Sequence, residues 1–233
     1  MTVDLQGTTV AVINGNRGVG PGLVEAFHQA GADVRVAQTP HASSPAASDV
    51  PLLDNLTSVQ AFLDTCDPLG VLVHVSHPVR RVDVLDETQD GFAASLEIDL
   101  VNPLRCLSQA AARMSRTGNG RIITFVSMSG KTGVHEKVAL SASANAGLIA
   151  FSRSLAADLA PHGVTVNVVA TALFEPAALD LPTERQRELV RGIPVGRFGK
   201  PEEAAHAALF LASPDAAFVT GETLNLSGGR FMD

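Results

Sequence analysis

The chain contains no tyrosine and no tryptophan. Without Tyr there is no phenol anywhere to act as a general acid or base, and this absence weighs more than any residue present. Cysteine is nearly missing too: only Cys66 and Cys106 occur, each in a segment that reads as helix and without metal-ligand spacing. They read as buried, reduced thiols, which fits a cytoplasmic location. No apolar run approaches the ~20 residues of a membrane span, and Met1 leads into a polar residue and a strand rather than a basic and then apolar leader. A soluble, untargeted protein with no membrane partner is expected. Excess positive charge is also lacking: the formal net charge is -7, with an isoelectric point near 5.4, which argues against a nucleic-acid partner.

What is present suits a packed core. The 233 residues are 45% hydrophobic and 18% charged, with no shift in composition that marks a second domain, so residues 1–233 read as one unit. Short β-branched runs alternate with longer Ala/Leu-rich stretches of helical period, the pattern of an α/β, Rossmann-like, doubly wound parallel sheet. Seven strands are expected: 8–13, 33–37, a short piece at 50–53, 71–75, 121–126, 164–169 and 223–226. Helices are expected over 19–30, 57–66, 88–116 with Pro103 inside, 140–160 and 201–212. Pro201 suits a first helical turn, with Glu202 and Glu203 beside it. The Pro- and Ser-rich run from Gln38 to Asp49 reads as a surface loop, and Thr171 to Pro194 as an irregular or partly helical excursion and candidate lid.

Three stretches, RIITFVSMSG, SASANAGLIAFSRSLAADLAPHGVTVNVV and PVGRFGKPEEAAHAALFLASPDAAFVTGETLNLSGG, resemble the short-chain dehydrogenase/reductase family, and the likeness runs over nearly the whole chain. The last is the most specific. In family members that closing region packs against another subunit, so the resemblance implies a dimer or tetramer.

A Rossmann fold cradles pyrophosphate on backbone N–H groups at its first helix, which requires glycines where the chain turns tightly. Against the family pattern Thr-Gly-x-x-x-Gly-x-Gly, Ile13 and Asn14 fill the first two positions, Gly15 follows, and Gly18 and Gly20 match the other glycines. Asn tolerates positive φ, so the turn survives. The family's ribose-binding Asp corresponds to Gln38, with no neighbouring Arg for an NADP phosphate, and Asp54 corresponds to its adenine contact. Equally, Gly18 and Gly20 serve close helix–sheet packing alone.

The family's catalytic set is more altered. Ser141 stands in the position of the general acid/base Tyr and Asn145 in that of its partner Lys, while Ser127 matches the substrate-holding Ser and Asp99 the supporting Asn. A Ser hydroxyl is too weak an acid to replace the phenol, and a neutral amide supplies no field to activate it. His74 to His77 replaces Asn-Asn-Ala-Gly, and Thr171-Ala172 replaces Pro-Gly. Ser127, Asp99, Ser141, His74, His77 and the His135–Glu136 pair would all border the family's cleft, and their convergence would suffice for other acid/base work. Each also reads as a satisfied structural group. No metal is expected, since His74 and His77 bring no third ligand.

These losses lead to the expectation of a catalytically degenerate, non-catalytic subunit that binds no cofactor, or NAD(H) weakly, and is not an independent dehydrogenase. It would form a homo- or hetero-oligomer with an intact oxidoreductase of the family, acting on acyl-thioester intermediates. The alternatives are a lyase, isomerase or cyclase using the same cleft, or an NAD-dependent oxidoreductase with a substitute proton donor, from His135 or a water on Ser141.

Overall fold

The structure, a computed structural model, describes residues 3–41, 47, 49–133, 135–175 and 181–232. Its centre is a parallel sheet in the order β2-β1-β3-β4-β5-β6, built from β1 (Thr9–Ile13), β2 (Asp33–Ala37), β3 (Leu69–Val75), β4 (Arg121–Ser127), β5 (Thr165–Thr171) and β6 (Thr223–Leu226). Successive residues of a strand face opposite sides, and here both sides are apolar. Ala11 and Ile13 of β1 join one core with Leu72, Ile122 and Leu148, whereas Val10 and Val12 join another with Leu23, Phe27, Ile123 and Phe125.

The first core is covered by α2 (Leu56–Asp64), α4 (Asn102–Thr117) and α6 (Ala139–Leu159). The second lies under α1 (Gly20–Gln29) and α8 (Pro201–Ala212). Cys66 and Cys106 both sit in the first core, and burial pushes the Cys106 thiol up to about 12. Asn55 starts α2, its side chain accepting from Ser58 N while Ser58 Oγ accepts from Asn55 N. These two bonds satisfy end groups that a helix leaves unpaired.

Among the described residues the sheet has six strands, not seven. The expected piece at 50–53 is reduced to a single bridge between Gln38 and Leu52, because Pro51 inside it has no N–H to extend a ladder. The long helix expected at 88–116 is three segments: α3 (Gln89–Leu96), a π-helical turn (Glu97–Val101) and α4. Pro103 explains the break. It cannot donate to the carbonyl four residues back, and the wider π turn, closed by Asn102 N donating to Glu97 O, takes up the mismatch. The excursion at 171–194 is partly helical, as expected, and contains α7 (Thr183–Arg191); a short helix after β4, α5 (Ser129–Thr132), has no counterpart in the sequence reading. Among the described residues, no helix is long and apolar enough to cross a membrane.

Phe27 is fully buried between α1 and the sheet. Phe27→Ala is expected to lower unfolding stability by about 3–5 kcal/mol, read as a lower urea midpoint at unchanged slope.

Candidate active site

In an open parallel sheet, ligands bind beyond the carboxyl ends of the strands where the strand order reverses, which here is between β1 and β3. The turn leaving β1 is built as the motif requires. Asn14 has φ 62° and Gly18 φ 54°, and a Cβ on Gly20 would lie 2.7 Å from Asn14 O. Asn14 therefore holds a glycine-like conformation, while Gly20 has no alternative. No side chain caps α1, so its first turn is left for water or an anion.

Beside this turn lies a cleft of about 320 Å³, bordered by Gly18, Val19, Ser76, His77, Ser127 and Leu173, among others. Most of its wall is apolar: Val75, Val79, Phe125, Val126, Phe174 and Leu181 contribute. Three lining residues, Ser76, Ser127 and Thr171, carry hydroxyls, and Thr171 Oγ1 donates its hydrogen to Val126 O. Ser127 Oγ accepts from Ser129 N at 3.1 Å, which leaves its own hydrogen for a ligand, and Ser76 Oγ is buried without a hydrogen-bond partner.

Of the residues expected to converge on Ser127, only His77 shares the cleft. Ser141 is 3% exposed, and its Oγ accepts from Arg80 N at 3.1 Å. Asn145 is equally buried; its Nδ2 donates to Ser141 O at 2.7 Å, and its Oδ1 accepts from Ser127 N at 2.8 Å. Neither residue borders the cleft. Together they form a brace that fixes Ser127 and ties α6 to the segment after β3. Asp99 sits in the π turn, with Oδ2 3.7 Å from Arg80 Nη2; burial raises its pKa and the Arg80 charge opposes that rise. Arg80 Nη2 also donates to Ser95 Oγ at 2.8 Å. His135 and Glu136 are exposed and do not border the cleft. His74 is wholly buried inside β3, where loss of water pulls its pKa down to about 4. Among the described residues, no three or more His, Cys, Asp or Glu side chains group closely enough to hold a metal.

The β2 side of the turn holds what the sequence did not signal. Gln38 is fully buried; its Nε2 donates to Ala47 O and Val50 O, and its Oε1 accepts from Ala47 N and Asn16 Nδ2. Those bonds engage both ends of its amide with Asn16, Ala47 and Val50. Asp54 is likewise exposed and engaged at the start of α2, accepting from Ser58 Oγ and Asn55 Nδ2. Next to Gln38, Thr39 Oγ1 lies 2.7 Å from His77 Nε2, and the His77 ring stacks on His41 with centroids 4.6 Å apart. Burial, then the nearby His41, His74, Arg17 and Arg80, drives the His77 pKa down to about 3. His41, Thr39, Arg17 and Arg80 carry no motif; only the fold brings them together.

A family profile described as Enoyl-(Acyl carrier protein) reductase matches residues 13–230. The 3-oxoacyl-[acyl-carrier-protein] reductases FabG of Vibrio harveyi and of Escherichia coli strain K12 are each 33% identical over 245 residues, covering 99% of this chain and all of theirs. A short-chain type dehydrogenase/reductase from Mycobacterium marinum superposes with a TM-score of 0.86 at 25% identity, covering 100% of this chain and 98% of its own. The chain belongs to the short-chain dehydrogenase/reductase family.

This kinship overturns the expectation of a non-catalytic subunit, since the relatives matched end to end bear the names of working reductases. It overturns the expected lack of a cofactor as well, because a reductase needs a hydride source. The residues present fit a nicotinamide dinucleotide at two of its three parts: the Asn14–Gly20 turn suits the pyrophosphate, and the apolar cleft suits the nicotinamide ring. The adenosine ribose, which belongs at the end of β2, meets His77 and His41 first.

Two outcomes are expected. Removing the ring with His77→Gly should tighten binding of the dinucleotide by about tenfold, measured calorimetrically, since displacing the stack and its hydrogen bond is then free. In the unfolded chain both His74 and His77 titrate near 6.5, so below that pH the unfolded state takes up protons the folded state refuses. Each should cost about 1.4 kcal/mol per pH unit as pH falls from about 6.5 towards 4. Urea midpoints should therefore drop between pH 7.5 and 5.5, and drop less in His77→Gln.

Proposed function

We propose that the chain is an oxidoreductase that transfers hydride between a nicotinamide cofactor and a carbonyl carried on an acyl thioester. The observation that carries this reading is Ser127, braced by Asn145 at the floor of an apolar cleft beside a glycine-type nucleotide turn. The names of the full-length relatives support the substrate class.

When bound, the cofactor supplies the hydride. The chain's own residues do the rest. Gly18, Gly20 and the start of α1 hold the pyrophosphate, and Val75, Phe125 and Leu173 exclude bulk water from the reacting carbon. Ser127 Oγ, its lone pair occupied by Ser129 N, donates its hydrogen to the carbonyl oxygen where negative charge develops. No Tyr exists to complete the alcohol, and Ser141 and His135 stand away from the cleft. The proton comes from water held at the Ser127 and Ser76 hydroxyls, and hydroxide leaves to solvent. His77, its pKa drawn down by burial, stays neutral near pH 7.

Oxidation of NADPH and NADH by the chain with acetoacetyl thioesters tests the reading: turnover is expected with at least one cofactor, and its absence with both removes it. Ser127→Ala should lower kcat/KM about 100-fold or more while cofactor binding is kept. The exposed Phe210 of α8, with Phe218 and Leu224, supports assembly with further copies of the chain. Phe218→Asp should then reduce the mass found by light scattering.

A further inference from the structure

At the opposite, amino-terminal end of the sheet, Arg121 opens β4. The residue is only 6% exposed. Its Nη1 donates to Gly120 O at 3.0 Å, its own preceding carbonyl, while Nε is buried without a partner. No carboxylate forms an ion pair with it among the described residues, and loss of water alone pulls its pKa down. A buried guanidinium with no counter-charge is costly, because the desolvation is not offset by attraction. Directly across the register on β5, Thr165 is 5% exposed, and its Oγ1 is also buried without a partner. Paired positions of adjacent parallel strands face the same side, so two orphaned donors stand next to each other.

Arg121 lines a cavity of about 380 Å³, within the size range of small-ligand sites. Among the described residues Arg121 is the only cation on its wall; Thr8, Thr9, Thr117 and Asn119 add hydroxyls and an amide. Asp4 is on the rim, its Oδ1 accepting from Gln6 N. One buried cation with a carboxylate at the entrance matches a single negative charge and repels a second.

We propose that this cavity binds a small monocarboxylate, its two oxygens taken by the Arg121 guanidinium, at a site separate from the cleft over Ser127. The guanidinium fork suits a carboxylate in bidentate geometry. Its occupation supplies the counter-charge the fold itself omits.

The test uses thermal unfolding of the full chain, titrated with sodium propanoate, sodium chloride and inorganic phosphate at matched ionic strength. A saturable rise in Tm with propanoate, exceeding that with chloride, is expected, because a ligand that binds only the folded state stabilises it. Arg121→Leu should lose this response while unfolding no earlier than the parent in chloride, since an unpaired buried charge has been replaced by an apolar group. Equal effects of propanoate and chloride, or a response that persists in Arg121→Leu, overturn the proposal. A larger response to phosphate than to propanoate overturns the monocarboxylate assignment. Should Arg121→Leu fail to fold, Arg121→Gln is titrated by calorimetry, where propanoate heats retained at parental affinity overturn the site. The readout is binding alone, so the result stands apart from whether hydride transfer is found.

Discussion

The carboxyl end of the sheet depends on one side chain. Asn14 takes a left-handed backbone conformation to turn the chain out of β1, and from there its amide reaches both neighbours. Oδ1 accepts from Thr39 N at 2.9 Å, just past β2, and Nδ2 donates to Val75 O at 2.8 Å, the last residue of β3. A glycine at this position would satisfy the turn but tie nothing. Buried polar groups held this fully fix a geometry as well as stabilise it. The three strand ends that bound the nucleotide turn are thus set by one amide, and the Thr39–His77 contact is built on that tie.

The second fixed point is the Ser141–Asn145 brace. Both residues stand where the family resemblance assigns reactive side chains, and both are turned into the protein instead. The segment after β3 packs against them: Arg80 N donates to Ser141 Oγ, and the Arg80 guanidinium reaches Ser95 and Asp99. The same bonds fix the peptide of Ser127. The two side chains thus support Ser127, whose hydroxyl borders the cleft.

The alternating β-branched and Ala/Leu-rich segments made the fold legible, because a sheet buried on both faces writes its strands as continuous apolar runs. Pro51 and Pro103 carried more than the periodicity could express: one prevents a seventh strand, and the other opens a π turn inside an apparent single helix. In the site, Gly18, Gly20 and Ser127 could be read directly, since their positions follow from the turn and the strand end. Gln38 could not. Its role depends on where Ala47 and Val50 come to lie, and a loop's path is not encoded in local pattern. The same is true of the His41–His77 stack, which joins residues with no shared motif. Weighing a few substituted positions more heavily than likeness along the whole chain led to the expectation of a silent subunit.

The two thiols in the first core have a consequence for handling the protein. Nucleophilic sulfur chemistry runs through the thiolate, and burial pushes the Cys106 thiol up to about 12, so it stays protonated at neutral pH. Cys66 is buried as completely, and its pKa is likewise raised by loss of water. Thiol-directed reagents therefore reach neither sulfur while the chain is folded. Labelling at either sulfur becomes a clock for opening of the sheet's covered face, available without adding a single reporter group.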